Sequence, residues 1–420
     1  MNFHFGKQVL DIELPPTCRW RELEKPSPVI HESESEILER AIEELIAALR
    51  IRLAPKVRLL IIVPDHTRKC NLPFILPRLT HALEKTFRPS IEFLIANGSH
   101  AALSNETLAA LLSPEITARY RVTQHDAKDE SRLIDLGATT FGTPIRLNRK
   151  VREADFIITV NGILYHYFAG FGGGAKMLLP GVAGYETIRR NHSLSIDPAC
   201  GFHPGCREGN LDDNPVFHDL RQVLNFVNNA LSLQVVLAPD GRLAAAAGGD
   251  ILQVQTRLMP IVQQLYGLPF DEQADWVIAD AGGFPGDVNL IQAHKAIHHA
   301  FRTVKRGGTL IMIAECGEGI GSQTFLPTFD YGDSRTMAAA LSRNFQINSQ
   351  TALVLKEKTE KARIYLLSNL EPEIVKKTGM IPLKRTEEIA ALVEREASEG
   401  KTGIVFRQSN LYLPLLTVVS

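Results

Sequence analysis

Little in this chain points to a cross-linked scaffold, a membrane or nucleic acid. Only five of its 420 residues are cysteine. Cys18, Cys70, Cys200, Cys206 and Cys316 are an odd set without a CxxC pair, which excludes a disulfide framework and a thiolate zinc site and fits reduced thiols in a cytoplasm. His203 lies between Cys200 and Cys206, but the paired spacing of a zinc site is missing, so that stretch reads as a Gly/Pro-rich bend. No apolar run is long enough to span a bilayer. The opening residues, MNFHFGKQVLDIELPP, lack the basic region, apolar core and cleavage site of a secretory signal. The formal net charge is −1, so no global field favours nucleic acid or an anionic membrane.

What remains is the profile of a soluble α/β enzyme. The length is too great for one ordinary core and predicts two domains; 45% apolar and 22% charged residues are ordinary for a globular protein. Residues 7–14 alternate as an edge strand does. Residues 33–50 carry an apolar face at helical spacing behind a Ser33/Glu36 capping box. Continuous apolar runs at 57–63, 91–96 and 155–162 read as buried parallel strands. Their carboxyl ends deliver Asp65 and Arg68, then His100, then His166, and open α/β sheets bind ligands at that rim. His125, among charged neighbours, reads as solvated. The span 234–250 reads as a hairpin and 266–275 as a linker, followed by a strand at 275–280, a helix over 288–308 stopped by Gly307 and Gly308, a strand-to-glycine-turn pattern at 309–322 and a further strand at 362–368. His294 and His298 on that helix lack the glutamate of a zincin motif and read as a solvated pair. The predicted boundary gives an N-terminal domain, 1–268, and a C-terminal domain, 269–403. Each is a mostly parallel sheet flanked by helices.

The chain is organised around residues 166–192, HYFAGFGGGAKMLLPGVAGYETIRRNH. Consecutive glycines expose main-chain N–H groups and let a ligand approach closely, a geometry suited to phosphate. Lys176 follows at once. A triphosphate-binding loop is excluded, because it needs Gly before the lysine and Ser or Thr after it; here Ala175 and Met177 stand there.

VPDHTR at 63–68, NGSH at 97–100, the 166–192 stretch and DAGGFPGDVNLIQAHK at 280–295 occur in this order, and as a set the chain resembles the lactate racemase family. The resemblance covers most of the chain. It implies a nickel-dependent racemase or epimerase of 2-hydroxy acids carrying a pyridinium-3,5-bisthiocarboxylic acid mononucleotide pincer, with the active site in the cleft between the domains and the tail, 404–420, packed back on the first. It further implies that cofactor-synthesis enzymes act as partners. By the same correspondence His100 and His166 are the acid/base pair, Lys176 bonds covalently to the nucleotide, and His192 is the nickel ligand. Asp65, His66, Thr67 and Arg68, with Phe171, Gly172, Gly173 and Gly174, help hold the nucleotide, while Arg68, Gln292 and Lys295 bind the substrate carboxylate.

The chemistry suits these groups. The carbinol C–H of a 2-hydroxy acid is barely acidic, so its hydrogen leaves more readily as hydride while a base takes the hydroxyl proton. Returning it to the other face inverts the centre. That scheme needs a fixed hydride acceptor, two bases and a cation for the carboxylate. Imidazoles titrate near neutrality and arginine meets a carboxylate with two donors. Lactate-specific members carry a tryptophan near 344–355 and a tyrosine before Gln292. Here those places hold NFQINSQTALVL and Ile291, so the pocket wall differs and another 2-hydroxy acid is a live expectation. A nicotinamide-dependent 2-hydroxyacid dehydrogenase is the alternative, although its GxGxxG after the first strand is missing; a non-catalytic nucleotide- or anion-binding homologue is the other.

Overall fold

Leu59, Leu60, Ile61, Ile62 and Val63 are all buried, because both faces of the strand Arg58–Pro64 are covered. In this computed structural model, which describes residues 1–417 except 17, 26, 27, 29, 54, 55, 398 and 399, that strand lies in a six-stranded sheet. The order is Leu243–Gly249, Ala230–Leu237, Phe156–Gly162, Arg58–Pro64, Ser90–Ala96, Arg121–Gln124. All neighbours run parallel except the Leu243–Gly249 edge, the return arm of the hairpin predicted at 234–250. The helix Glu34–Arg50 buries Ile37, Leu38, Ala41, Ile42, Leu45, Ile46 and Leu49. Fully burying each large side chain contributes roughly 1.5–3 kcal/mol. Its N-terminus is fixed as the sequence predicts: Ser33 Oγ accepts from the Glu36 N–H at 3.3 Å and the Glu36 carboxylate accepts from the Ser33 N–H at 3.0 Å.

The chain divides into two compact units. The one just described comprises Pro28–Leu194 and Gly205–Leu265; the other comprises Met1–Ser27, Ser195–Pro204 and Tyr266–Ser420. This corrects the sequence-order boundary. The strand Arg19–Glu22 pairs with Thr402–Phe406, so the N-terminal residues complete the second sheet instead of the first. That sheet, all parallel, runs Ile381–Leu383, Arg363–Leu367, Val304–Ile313, Ala274–Asp280, Thr402–Phe406, Arg19–Glu22. The tail also belongs here: Leu413–Leu416 pairs with Gly267–Phe270, which lies in the predicted linker, and residues 418–420 fall outside the described ones.

Two local readings change as well. The edge strand expected at 7–14 is one arm of a separate hairpin, Asn2–Phe5 with Gln8–Asp11. The helix predicted over 288–308 stops at Ala300, because Val304 already enters a strand that continues through Gly307 and Gly308. Among the described residues no helix is long and apolar enough to cross a membrane.

Ser33→Ala removes the acceptor at the first turn of Glu34–Arg50 and is expected to cost about 1 kcal/mol, with Ser33→Asp close to wild type. Urea denaturation followed by circular dichroism checks both.

Candidate active site

The functional loops leave the first sheet where its strand order reverses. From Arg58–Pro64 the chain builds outward through Ser90–Ala96 and Arg121–Gln124, then returns to the opposite side of Arg58–Pro64 with Phe156–Gly162 and Ala230–Leu237. Adjacent strands whose connections diverge leave a crevice at their carboxyl ends. Residues 65–68 leave one of these strands and the loop to Lys176 leaves the other. His100 leaves the next strand along, and its loop is tied to the lysine loop by a Gly98 N–H to Gly181 C=O bond of 2.9 Å.

The glycines of that loop are required by what surrounds them. Gly173 and Gly174 take φ of +72° and +58°, conformations that L side chains rarely adopt. A Cβ on Gly173 would collide with Asn161 Oδ1, and one on Gly174 would lie 2.5 Å from Gln255 Oε1. Asn161, buried at the end of Phe156–Gly162, accepts the Gly174 N–H at 2.9 Å; Gln255 Nε2 donates to the Gly172 carbonyl at 3.2 Å. The Gly172 N–H is given to the Leu164 carbonyl at 2.7 Å. The amides of Gly172 and Gly174 are therefore spent inside the protein, and this turn offers a ligand close approach more than the N–H cradle expected from its sequence.

Phe168 organises the basic groups. Its buried ring stands edge-on to His166 at 4.6 Å and to His192 at 4.9 Å between centroids, and Lys176 Nζ lies 5.5 Å from its centre. Burial, with the nearby Arg68 charge, pushes the Lys176 ammonium down to about 7. Burial, then the Lys176 charge, lowers His192 to about 3, which favours the neutral imidazole. Its helix, Tyr185–Ser193, is fixed by Asn191, whose Nδ2 donates to the Val216 carbonyl and to the buried Asp219 carboxylate at 3.1 and 2.8 Å. Among the described residues no three or more His, Cys, Asp and Glu side chains gather as a metal site.

Asp65 is buried and fully engaged. Its Oδ1 accepts from Thr67 Oγ1 at 2.6 Å and from the Thr67 N–H at 3.1 Å, and its Oδ2 meets His100 Nδ1 at 2.6 Å. Burial alone would raise its pKa, but the His100 hydrogen bond and charge, Thr67 and Arg68 outweigh it and the net shift is downward. Arg68 is exposed and bonds Thr67 Oγ1 at 2.9 Å; His66 is exposed beside it. His166 is bonded in the opposite sense to His100: its Nδ1 accepts the Ala169 N–H at 3.2 Å. Phe171, opposite Tyr165 in a short hairpin that also carries His166, stacks on that ring at 5.3 Å.

Gln292 and Lys295 belong to the other unit, on the helix Leu290–Ala300, where Lys295 Nζ donates to Gln292 Oε1 at 2.7 Å. Ile291 is half-buried beside them, and Gln350, Thr351, Ala352 and Leu353 are buried in the helix Ser349–Thr359.

Sequence reading passed over Phe168, Asn161, Gln255 and Asn191. Asn161 carried a signal, as the polar residue closing an otherwise apolar strand. Phe168 carried none, since one more aromatic beside glycines is unremarked. Two histidines read as solvated are not: His125 is buried, with Nε2 on the Ala183 carbonyl and Nδ1 on Asn148, and His294 is buried while His298 Nδ1 meets Lys358 Nζ at 2.9 Å. The thiols of Cys70, Cys206 and Cys316 are pushed up to about 12 by burial and are inert.

Residues 5–202 match the family model described as the lactate racemase N-terminal domain, and residues 270–405 match the lactate racemase C-terminal domain. Lactate racemase from Lactiplantibacillus plantarum is 31% identical over 70% of this chain and 69% of its own length. Lactate racemase from Thermoanaerobacterium thermosaccharolyticum is 29% identical over 77% and 76%. The solved lactate racemase apoprotein from the latter organism superposes with a TM-score of 0.86 at 24% identity, covering 99% of both chains, and a Thermotoga maritima protein with 0.69 at 18%, covering 92% of this chain and 98% of its own. At those identities the structural matches speak to the fold.

Two outcomes follow from the loop. Gly174→Ala is expected to destabilise the protein by roughly 1–3 kcal/mol through strain and the Gln255 clash, read as a lower thermal midpoint. The Lys176 amine loses its proton near pH 7 where an ordinary lysine needs a pH above 10. Brief acetylation followed by peptide mass analysis is expected to label Lys176 increasingly up to about pH 7 and then level off, while surface lysines keep rising.

Proposed function

Because the chain belongs to the lactate racemase family, we propose that it interconverts the enantiomers or epimers of a 2-hydroxy acid by reversible hydride transfer, using a nickel-pincer nucleotide. The observation carrying this reading is the arrangement about Phe168: a desolvated amine, a buried imidazole whose charged form burial disfavours, and a second, half-exposed imidazole around one ring. The implied group fits these residues. An unprotonated amine can join a carboxyl-derived carbon, and neutral imidazole suits Ni(II). Lys176 would hold the nucleotide covalently, and His192 would supply the single protein ligand to nickel, with the remaining donors coming from the pincer. When bound, the pincer supplies the hydride acceptor.

The chain's own residues do the rest. Arg68 takes the substrate carboxylate, the role that the family resemblance also gives to Gln292 and Lys295. Arg68 and His66 also meet the nucleotide phosphate, a task the committed amides of Gly172 and Gly174 leave to side chains. The glycine turn and Phe171 provide a wall without protruding side chains. His100, with Nδ1 on a carboxylate, takes the hydroxyl proton of one enantiomer. His166 serves the other. As a neutral ring accepting the Ala169 N–H at Nδ1 it carries its proton on Nε2, and acting as a base there requires that proton to move. That shift takes the acceptor away from the buried Ala169 N–H, a cost of roughly 1–3 kcal/mol, so the base role is the more demanding of the two for His166. The absence of a tryptophan at 344–355 and the presence of Ile291 favour an acid whose side chain differs from that of lactate.

Protein produced together with the cofactor-synthesis enzymes is expected to show a covalent adduct by intact mass and to contain nickel. A panel of single-enantiomer 2-hydroxy acids read by chiral chromatography identifies the substrate. Neither adduct nor nickel in such a preparation would remove the proposal. Lys176→Ala is expected to lose the adduct. His100→Ala and His166→Ala are each expected to keep adduct and fold while interconversion falls by roughly 100-fold or more; full turnover in either variant would refute the two-histidine assignment.

A further inference from the structure

The corresponding residues of the family place Asp65 with the nucleotide-binding set, yet its carboxylate is taken up within the protein. One oxygen receives two donors from Thr67 and the other sits 2.6 Å from His100 Nδ1. The carboxylate side chain is 4% exposed while the imidazole is 51% exposed, so a buried acceptor holds Nδ1 of a half-exposed ring.

We propose that Asp65 is a positioning residue: it holds the proton of neutral His100 on Nδ1 and leaves the Nε2 lone pair as the acceptor for a substrate hydroxyl. This rests on the racemase reading only for the identity of that hydroxyl. An ionised carboxylate can only accept, so Nδ1 must donate. Neutral imidazole in water prefers its proton on Nε2, which would present a donor where a base is needed; the carboxylate reverses that preference. When His100 takes a proton, the same carboxylate stabilises the imidazolium without itself becoming protonated. At His166 the Nδ1 atom accepts a main-chain N–H from Ala169. A neutral His166 so bonded has its one proton on Nε2, the opposite tautomer to His100, and presents a hydrogen-bond donor where His100 presents a lone pair.

Asp65→Asn discriminates sharply because of Thr67. The carboxamide oxygen is drawn to the two Thr67 donors, which leaves Nδ2, a donor, against His100 Nδ1. Nδ1 must then accept and the proton moves to Nε2. The isosteric change preserves shape and burial but inverts the ring.

The test uses nitrogen-15 histidine-labelled wild-type protein at alkaline pH, where the two ring nitrogens of a neutral imidazole have distinct shifts, with the His100 signals assigned by their loss in His100→Gln. His100 is expected to be protonated on Nδ1 in the wild type and on Nε2 in Asp65→Asn, while His166 shows Nε2–H in both. The loaded Asp65→Asn protein is expected to keep its Lys176 adduct and nickel while turnover falls roughly 100-fold or more. An Nε2–H wild-type His100, or an unchanged tautomer in Asp65→Asn, overturns the proposal, and so does failure of Asp65→Asn to take the adduct, since Asp65 would then serve the nucleotide directly. The wild-type measurement stands even if the variant does not fold. If the tautomers invert as stated but the loaded wild type interconverts no hydroxy acid, the positioning role is supported and the racemase reading falls.

Discussion

The site depends on keeping water away from two basic nitrogens that share one aromatic ring. Lys176 and His192 both lie against the Phe168 ring, and the buried surroundings make a charge on either expensive. A protonated Lys176 would be neither nucleophilic nor compatible with a cation next to it, and a protonated His192 could not bind metal. Desolvation removes both obstacles with one device. The requirement for Gly173 and Gly174 follows, because the lysine can be brought in under Phe168 only if the preceding turn is pressed against Asn161 and Gln255 with no side chain between.

That turn reaches its place because of sheet topology. A crevice opens where strand order reverses, between Arg58–Pro64 and Phe156–Gly162. One strand end contributes the Asp65–Thr67–Arg68 chain of hydrogen bonds, and the other contributes the loop with His166 and Lys176. The Arg68 guanidinium, held by Thr67, is near enough for its charge to help keep the Lys176 amine unprotonated. The group expected to bind a substrate anion therefore also tunes the amine that would anchor the cofactor.

Much of this was legible in the letters. The apolar runs gave the central strands, the Ser33/Glu36 box gave a helix start, strand ends put Asp65, Arg68, His100 and His166 at one rim, and the glycine run drew attention to Lys176. What could not be read was which atoms partner which. A GGG run suggests free amides, but only the fold reveals that Asn161 and the Leu164 carbonyl consume them. Charged neighbours made His125 look solvated, although its ring is turned inward to the Ala183 carbonyl and Asn148. Sequence order put residues 1–27 in the first domain; a strand pairing nearly four hundred residues apart put them in the second. Contacts of that separation leave no periodic trace.

The lowered Lys176 pKa also carries a stability consequence whose sign separates function from fold. The unfolded chain binds this proton up to about pH 10.4, the folded protein only up to about 7. Between those values the unfolded state holds more protons, so stability rises with pH across the window, and below pH 7 the full penalty is present. A leucine or methionine at 176 would avoid it. The lysine is retained at a position where folding alone disfavours it, beside an imidazole that folding likewise denies its proton. Two such residues around one ring, in a crevice set by strand order, mark a place where the chain gives up stability to keep nitrogen lone pairs available for chemistry.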